Sequence, residues 1–148
     1  MINGLRNKIS RFRKKVISIW EQEGSPGQQA RGLAVGVFSG CFPLFGFQTV
    51  LGLCLATSFK GNRFLAILGT WISNPITYLP LYWFNFKVGI FLLGKVQSVS
   101  VFSEFSLENA WDQGILFSSR LLLGSLCVGI FSGFFFGTAL YSFLKKNN

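Results

Sequence analysis

Four polar side chains lie within long uncharged stretches of the sequence, each close to a residue that breaks helices. They are Gln48, Thr49, Asn74 and Thr77. Broken helices that meet near the middle of a bilayer, with polar side chains beside them, form the substrate site of several transporters. We therefore hypothesise that these four side chains line a polar pocket for a small solute or a lipid headgroup. The alternative is that they only satisfy the backbone groups that the helix breaks leave unpaired.

The breaks themselves are predicted from proline and glycine. The helix-breaking positions are Pro43, Gly46, Pro75 and Pro80. Proline lacks a backbone donor and clashes with the preceding turn, and it disfavours the helical conformation of the residue before it. The sequence therefore predicts two elbows, one in each of two apolar stretches.

Few residues of the chain are suited to acid–base, nucleophilic or metal chemistry. It has no His and only five acidic residues, none of which lies within an apolar stretch. Cys41, Cys54 and Cys127 lie in apolar runs without metal-ligand spacing, so we interpret them as small apolar residues. The sequence thus predicts no catalytic site, no metal site and no cofactor.

The stretches that carry the four polar residues are too apolar for a water-soluble domain of this size. Of the 148 residues, 50% are hydrophobic and 13% are charged. Residues 32–59 would form a helix of about 42 Å, longer than the roughly 30 Å hydrocarbon core of a bilayer. We predict an all-α integral membrane protein, a small helical bundle. Its broken segments, re-entrant or discontinuous, are residues 32–59 and 64–94, and residues 115–144 form one continuous transmembrane helix.

The remaining regions are predicted from charge. Residues 1–24 combine an apolar helical face with many basic residues, which is typical of an amphipathic helix on an anionic lipid surface. Residues 25–148 form a single membrane domain, within which residues 95–114 form an acidic external loop. The net charge of +9 lies beside apolar segments, so it favours lipid over nucleic acid as the partner.

The positions of the basic residues predict a topology. If each segment crossed once, Lys60 and Arg63 would face the side opposite the basic N-terminus, against the positive-inside rule. A first segment that enters and leaves on one side places every basic cluster together, including Lys145 and Lys146. We therefore expect cytoplasmic N- and C-termini, while a first segment that crosses fully remains the alternative.

Two stripes of glycine at four-residue spacing predict close helix packing. The stripes are Gly32, Gly36 and Gly40 in the first segment, and Gly129, Gly133 and Gly137 in the third. The sequence does not indicate whether they meet within one chain or between copies. A bundle this thin also favours a homo-oligomer.

The segments 25–94 resemble an uncharacterised prokaryotic membrane family, domain of unknown function 2062 (DUF2062). The residues that carry the resemblance are Ser25-Pro26, Leu33-Ala34, Gly36, Phe38-x-Gly40, Pro43-x-x-Gly46-x-Gln48-Thr49, Leu55-Ala56, Asn62 and Gly69-Thr70-Trp71-x-x-Asn74-Pro75-x-Thr77-x-x-Pro80. The resemblance implies a multi-pass protein of a prokaryotic cytoplasmic (inner) membrane, but no reaction. Two functions therefore remain: transport or translocation of a small solute or lipid, and a non-transporting anchor, scaffold or assembly factor for a partner protein.

Overall fold

The computed structural model of the chain describes residues 24–94 and 107–146. Within these ranges all regular secondary structure is helical and there is no strand, so the predicted all-α class is confirmed. The five helices are α1 (Pro26–Gly40), α2 (Phe47–Ser58), α3 (Arg63–Thr70), α4 (Tyr78–Leu93) and α5 (Leu107–Lys146). The predicted N-terminal helix 1–24, apart from its last residue, and most of the predicted loop 95–114 lie outside the described residues.

Capping residues fix where α1 and α3 begin. The Ser25 hydroxyl accepts a hydrogen bond from the Gln28 amide, and the Gln28 side chain accepts one from the Ser25 amide at 2.9 Å. At the start of α3, the Asn62 side chain accepts a hydrogen bond from the Leu65 amide at 2.8 Å. Each cap satisfies amides that have no partner within the helix, so these two short helices have defined starting points.

The first apolar segment folds as a helical hairpin of α1 and α2. After α2 the chain returns to the end of the bundle where α1 begins. At this end the Asn62 amide donates a hydrogen bond to the Gln28 carbonyl at 2.9 Å. The Arg31 guanidinium also donates to the Lys60 carbonyl at 3.3 Å. The two ends of the segment therefore lie side by side, at what we call the basic end of the bundle.

Helix α3 then runs parallel to α1 and packs directly on it. Three glycines of α1 face α3 at successive turns: Gly32 against Asn62, Gly36 against Ala66, and Gly40 against Thr70. A Cβ atom added at Gly36 would collide with the Ala66 carbonyl oxygen and would lie 2.8 Å from the Ala66 carbonyl carbon. The backbones of the two helices are therefore in contact along this stripe, which only glycine permits.

Helix α4 begins where α1 ends, and both pack antiparallel to α5. A Cβ atom at Gly89 of α4 would collide with the Arg120 backbone, and one at Gly124 would collide with the Asn85 backbone. The C-terminal half of α5 uses its glycines against α1: Gly129 faces Phe38 and Cys41, Gly133 faces Ala34, and Gly137 faces Ala34 and Ala30. Helices α1 and α4, about 22 Å and 24 Å long, thus lie end to end along α5.

Helix α5 is the longest element and begins earlier than the sequence predicts. It starts at Leu107, whereas we expected a loop up to residue 114. Among the described residues, its portion Gly114–Lys146 is the one helix long and apolar enough to cross a membrane. Only 28% of its most apolar window is buried within the bundle, unlike the core helix of a soluble protein.

Most side chains inside the bundle are small or polar, with Val37 and Leu65 as buried apolar exceptions, and most of the large apolar ones face outward. The largest fully buried side chains are Asn85, Thr70, Cys41, Ser39 and Ser125. By contrast, Phe91 is 88% exposed, Ile76 is 86% exposed and Phe131 is 76% exposed. This distribution is the reverse of that in a water-soluble domain, where large apolar residues fill the core.

Candidate functional site

The two elbows lie at the same level, roughly midway between the ends of the bundle. The first elbow is the segment 41–46, which contains Pro43 and ends at Gly46, whose φ of +81° favours glycine. The second elbow is the segment 71–77, which contains Pro75. Pro80, which we predicted to break the helix, lies instead in the first turn of α4, where a missing amide donor costs nothing.

Asn74 and Thr77 stabilise the second elbow itself. The Asn74 carboxamide oxygen accepts hydrogen bonds from the Ile76 amide at 2.9 Å and the Thr77 amide at 3.0 Å. The Thr77 hydroxyl donates to the Ile72 carbonyl at 2.7 Å and accepts from the Asn74 amide at 2.9 Å. These two side chains thus satisfy the backbone groups of the turn, as the structural alternative expected.

Gln48 instead connects α2 to the second elbow, and Thr49 connects α2 to the last residue of α3. The buried Gln48 side chain accepts a hydrogen bond from the Ser73 hydroxyl at 3.1 Å. The Thr49 hydroxyl lies 3.5 Å from the Thr70 hydroxyl, which itself donates to the Ile67 carbonyl at 2.7 Å. Two of the four predicted residues therefore lie within one turn, whereas the other two link α2 to the second elbow, through Ser73, and to α3, through Thr70.

Aromatic residues join the first elbow to α4. The Phe45 ring packs edge-on against Tyr78 and Tyr82, at centroid distances of 5.3 Å and 6.0 Å. The Tyr82 hydroxyl donates a hydrogen bond to the Phe42 carbonyl at 3.2 Å. A backbone carbonyl that the break in α1 frees is thereby satisfied by a side chain from a different segment.

Asn85 is the central polar residue that sequence reasoning missed. It is fully buried, and its side-chain amide donates to the Cys41 carbonyl at 2.8 Å and to the Ser125 hydroxyl at 2.9 Å. Its carboxamide oxygen is buried and has no hydrogen-bond partner. The only signal in the sequence is a lone Asn among the apolar residues of 78–93, which does not reveal that it contacts both α1 and α5.

These side chains form one polar layer across the middle of the bundle. We call it the polar seam, and it consists of Ser39, Gln48, Thr70, Ser73, Asn85 and Ser125, all of them buried. Every helix of the bundle except α5 breaks or ends near this layer. The seam contains hydroxyl and carboxamide groups but no charged group, so its side chains interact through hydrogen bonds.

The end of the bundle opposite the basic end carries a buried arginine. Arg120 is 8% exposed, and its guanidinium donates to the Gly94 and Leu116 carbonyls, both at 3.0 Å. It thereby caps the C-terminal end of α4, where carbonyl groups have no partner within the helix. Lys87 is exposed nearby, with its ammonium group 5.4 Å from the centroid of the Trp83 ring.

These features define a class: an all-α protein whose described residues form five helices, two central elbows and a polar seam, with one of these helices long and apolar enough to cross a membrane. In the described ranges, no cluster of three or more His, Cys, Asp or Glu residues could hold a metal ion. The chain belongs to the family described as an uncharacterized protein conserved in bacteria (DUF2062), whose model matches residues 9–148. Comparison with curated proteins and with solved structures finds no match.

Proposed function

We propose that the protein is an integral, multi-pass protein of the bacterial inner membrane. The exposure of large apolar side chains together with burial of small and polar ones supports this proposal. An exposed apolar surface of this extent would cause aggregation in water, but it matches the hydrocarbon core of a bilayer. Helix α5, with its apolar portion Gly114–Lys146, would cross that core with several residues to spare.

The proposed topology follows from helix lengths and charge. Helices α1 and α2 are about 22 Å and 18 Å long, too short to cross a core of about 30 Å, so their hairpin would enter and leave on one side. Helices α3 and α4 would cross together, and α5 would return. The described basic residues at the basic end are Arg31, Lys60, Arg63, Lys145 and Lys146. By the positive-inside rule, this end would face the cytoplasm together with both termini.

Accessibility of single cysteines in intact cells tests this topology. The three native cysteines are replaced, and a reporter cysteine is placed at Arg63, Gly114 or Lys146, all of which are exposed. We expect a membrane-impermeant maleimide to label only Gly114→Cys from outside, and all three after permeabilisation. Labelling of Arg63→Cys from outside would mean that the first segment crosses fully, and the hairpin proposal would be abandoned.

Within this topology, we propose that the protein translocates a small polar solute or a lipid headgroup along the polar seam. The observation that carries the proposal is that broken helices meet the seam near mid-depth, as they do at transporter sites. The buried Asn85 carboxamide oxygen, which has no hydrogen-bond partner, would accept a hydrogen bond from a passing ligand. Gln48 would contribute a second carboxamide from the α2 side of the seam.

Flux in proteoliposomes tests translocation. A fluorescent phospholipid with dithionite quenching reports lipid movement, and vesicle swelling with glycerol and with glycine reports solute movement. We expect flux in one of these assays and its loss in Gln48→Leu, with folding verified by size-exclusion chromatography. The matched control is Thr57→Val, because this exposed hydroxyl donates to the Leu53 carbonyl of its own helix and lies outside the polar seam. Equal flux in all three proteins would refute a role for the seam.

The second candidate is a non-transporting anchor, scaffold or assembly factor. It is favoured by the observation that Asn74 and Thr77 are engaged in their own turn, which leaves them few groups for a ligand. This function predicts no flux and a specific protein that copurifies from membranes. Both candidates are non-enzymatic, in keeping with a chain that lacks His, and both are compatible with a homo-oligomer.

A further inference from the structure

A groove lies between the start of α1 and the end of α5, far from the polar seam. It consists of two adjoining cavities of about 300 Å³ and 380 Å³, which share Gly27 and Tyr141. The smaller cavity continues along the helices past Ala30, Ala34, Phe134 and Thr138. The larger one opens at the basic end beside Ser25, Pro26 and Lys145. The groove is therefore apolar at its inner part and polar at its mouth.

Positive charge is concentrated at the mouth of this groove. The Lys145 side chain lines it, and the Arg31 guanidinium lines the adjoining cavity next to the first turn of α1. One amino group of that guanidinium donates a hydrogen bond to the Lys60 carbonyl at 3.3 Å. The first turn of α1 contains no acidic residue, so the positive end of its dipole adds to the same potential. An anion at the mouth would find all three sources of positive potential around it.

We infer that this groove binds one anionic phospholipid. Its phosphate would lie at the mouth between Arg31, Lys145 and the start of α1, and one acyl chain would lie along Ala34 and Phe134. The inference rests on the proposed membrane location, because it needs the basic end at the level of the headgroups. Charge complementarity decides the occupant: a basic mouth above an apolar floor matches an anionic amphiphile better than an acyl chain or an anion alone.

Native mass spectrometry of the purified full-length protein tests the inference. The protein is released from detergent micelles that contain graded amounts of dioleoyl phosphatidylglycerol or dioleoyl phosphatidylcholine. We expect one phosphatidylglycerol to be retained in preference to phosphatidylcholine. Each basic residue should strengthen phosphatidylglycerol binding about fivefold. Loss of both charges in the double variant Arg31→Gln/Lys145→Gln should therefore weaken that binding roughly 25-fold. In Thr138→Trp, which fills the inner groove, both lipids should bind less.

Matched controls separate this site from a general charge effect. Arg63→Gln and Lys146→Gln remove exposed charges at the same end without changing the lining of the groove, and they should retain phosphatidylglycerol binding. Equal weakening in these controls, or equal binding of the two lipids by the unmodified protein, would overturn the inference. Carbonate extraction of cell membranes provides the separate test of the membrane proposal. A protein that resists extraction but shows no lipid preference would refute only the lipid site.

Discussion

The contact between α1 and α3 leads to a quantitative prediction for Gly36→Ala. A Cβ atom at this position would collide with the Ala66 carbonyl oxygen and would lie 2.8 Å from the Ala66 Cα and carbonyl carbon. Ordinary contacts of a Cβ atom begin near 3.4 Å, and all three atoms belong to the backbone. No rotamer change can relieve the collision, so α3 as a whole must move away from α1.

Two opposing effects set the size of the change. Alanine favours a helix over glycine by about 1 kcal/mol, which alone would make the variant more stable. Overpacking costs about 1–3 kcal/mol, and a backbone obstacle places the cost at the upper end of that range or above it. We therefore expect a net loss of about 2 kcal/mol in the free energy of unfolding, or roughly a 30-fold lower ratio of folded to unfolded protein.

Unfolding in mixed micelles with increasing SDS, followed by the fluorescence of the four Trp residues, measures this difference. The matched control is Gly114→Ala, because Gly114 is also helical and a Cβ atom there would meet nothing within 4 Å. We expect the control to be as stable as the unmodified protein or up to about 1 kcal/mol more stable. If Gly36→Ala behaves like the control, the backbones of α1 and α3 are not in contact and the described packing is wrong.

Three further predictions test other parts of the bundle. Asn85→Leu leaves the Cys41 carbonyl without its side-chain donor, so the free energy of unfolding should fall by about 1–3 kcal/mol in the same SDS titration. An unchanged midpoint would contradict the central hydrogen bonds. Asn62→Ala removes the cap on the Leu65 amide, and the same titration should show a loss of about 1 kcal/mol, whereas no loss would mean that water replaces the cap. Arg120→Gln should speed amide hydrogen exchange in the last turn of α4, and exchange unchanged there would show that the guanidinium is not needed to hold that turn.

The elbows show both the reach and the limit of reasoning from sequence. Pro43, Gly46 and Pro75 lie in the segments between helices, as the chemistry of proline and glycine predicts, because these effects are local to the backbone. The prediction that Pro80 breaks a helix was wrong. Whether a proline breaks a helix or lies in its first turn depends on where the helix starts, and α4 starts at Tyr78. That start depends on the turn that Asn74 and Thr77 build, which has no signature in hydropathy.

The glycine stripes illustrate the same division. Their four-residue spacing predicts smooth helix faces, but the two stripes do not meet each other: Gly36 faces α3, whereas Gly133 faces α1. The choice of partner depends on the path of the chain through both elbows. Spacing along one helix cannot encode that path, because it is set by contacts between residues far apart in sequence.

The sequence by itself determined the helical class, the apolar segments, the elbows at Pro43 and Pro75, and the family. Each of these follows from composition, local backbone chemistry or a motif. Only the tertiary structure revealed the parallel packing of α1 on α3, the central role of Asn85 and the groove beside Lys145. These features arise where separate segments meet, and the energy of such contacts depends on the three-dimensional arrangement of residues that are distant along the chain.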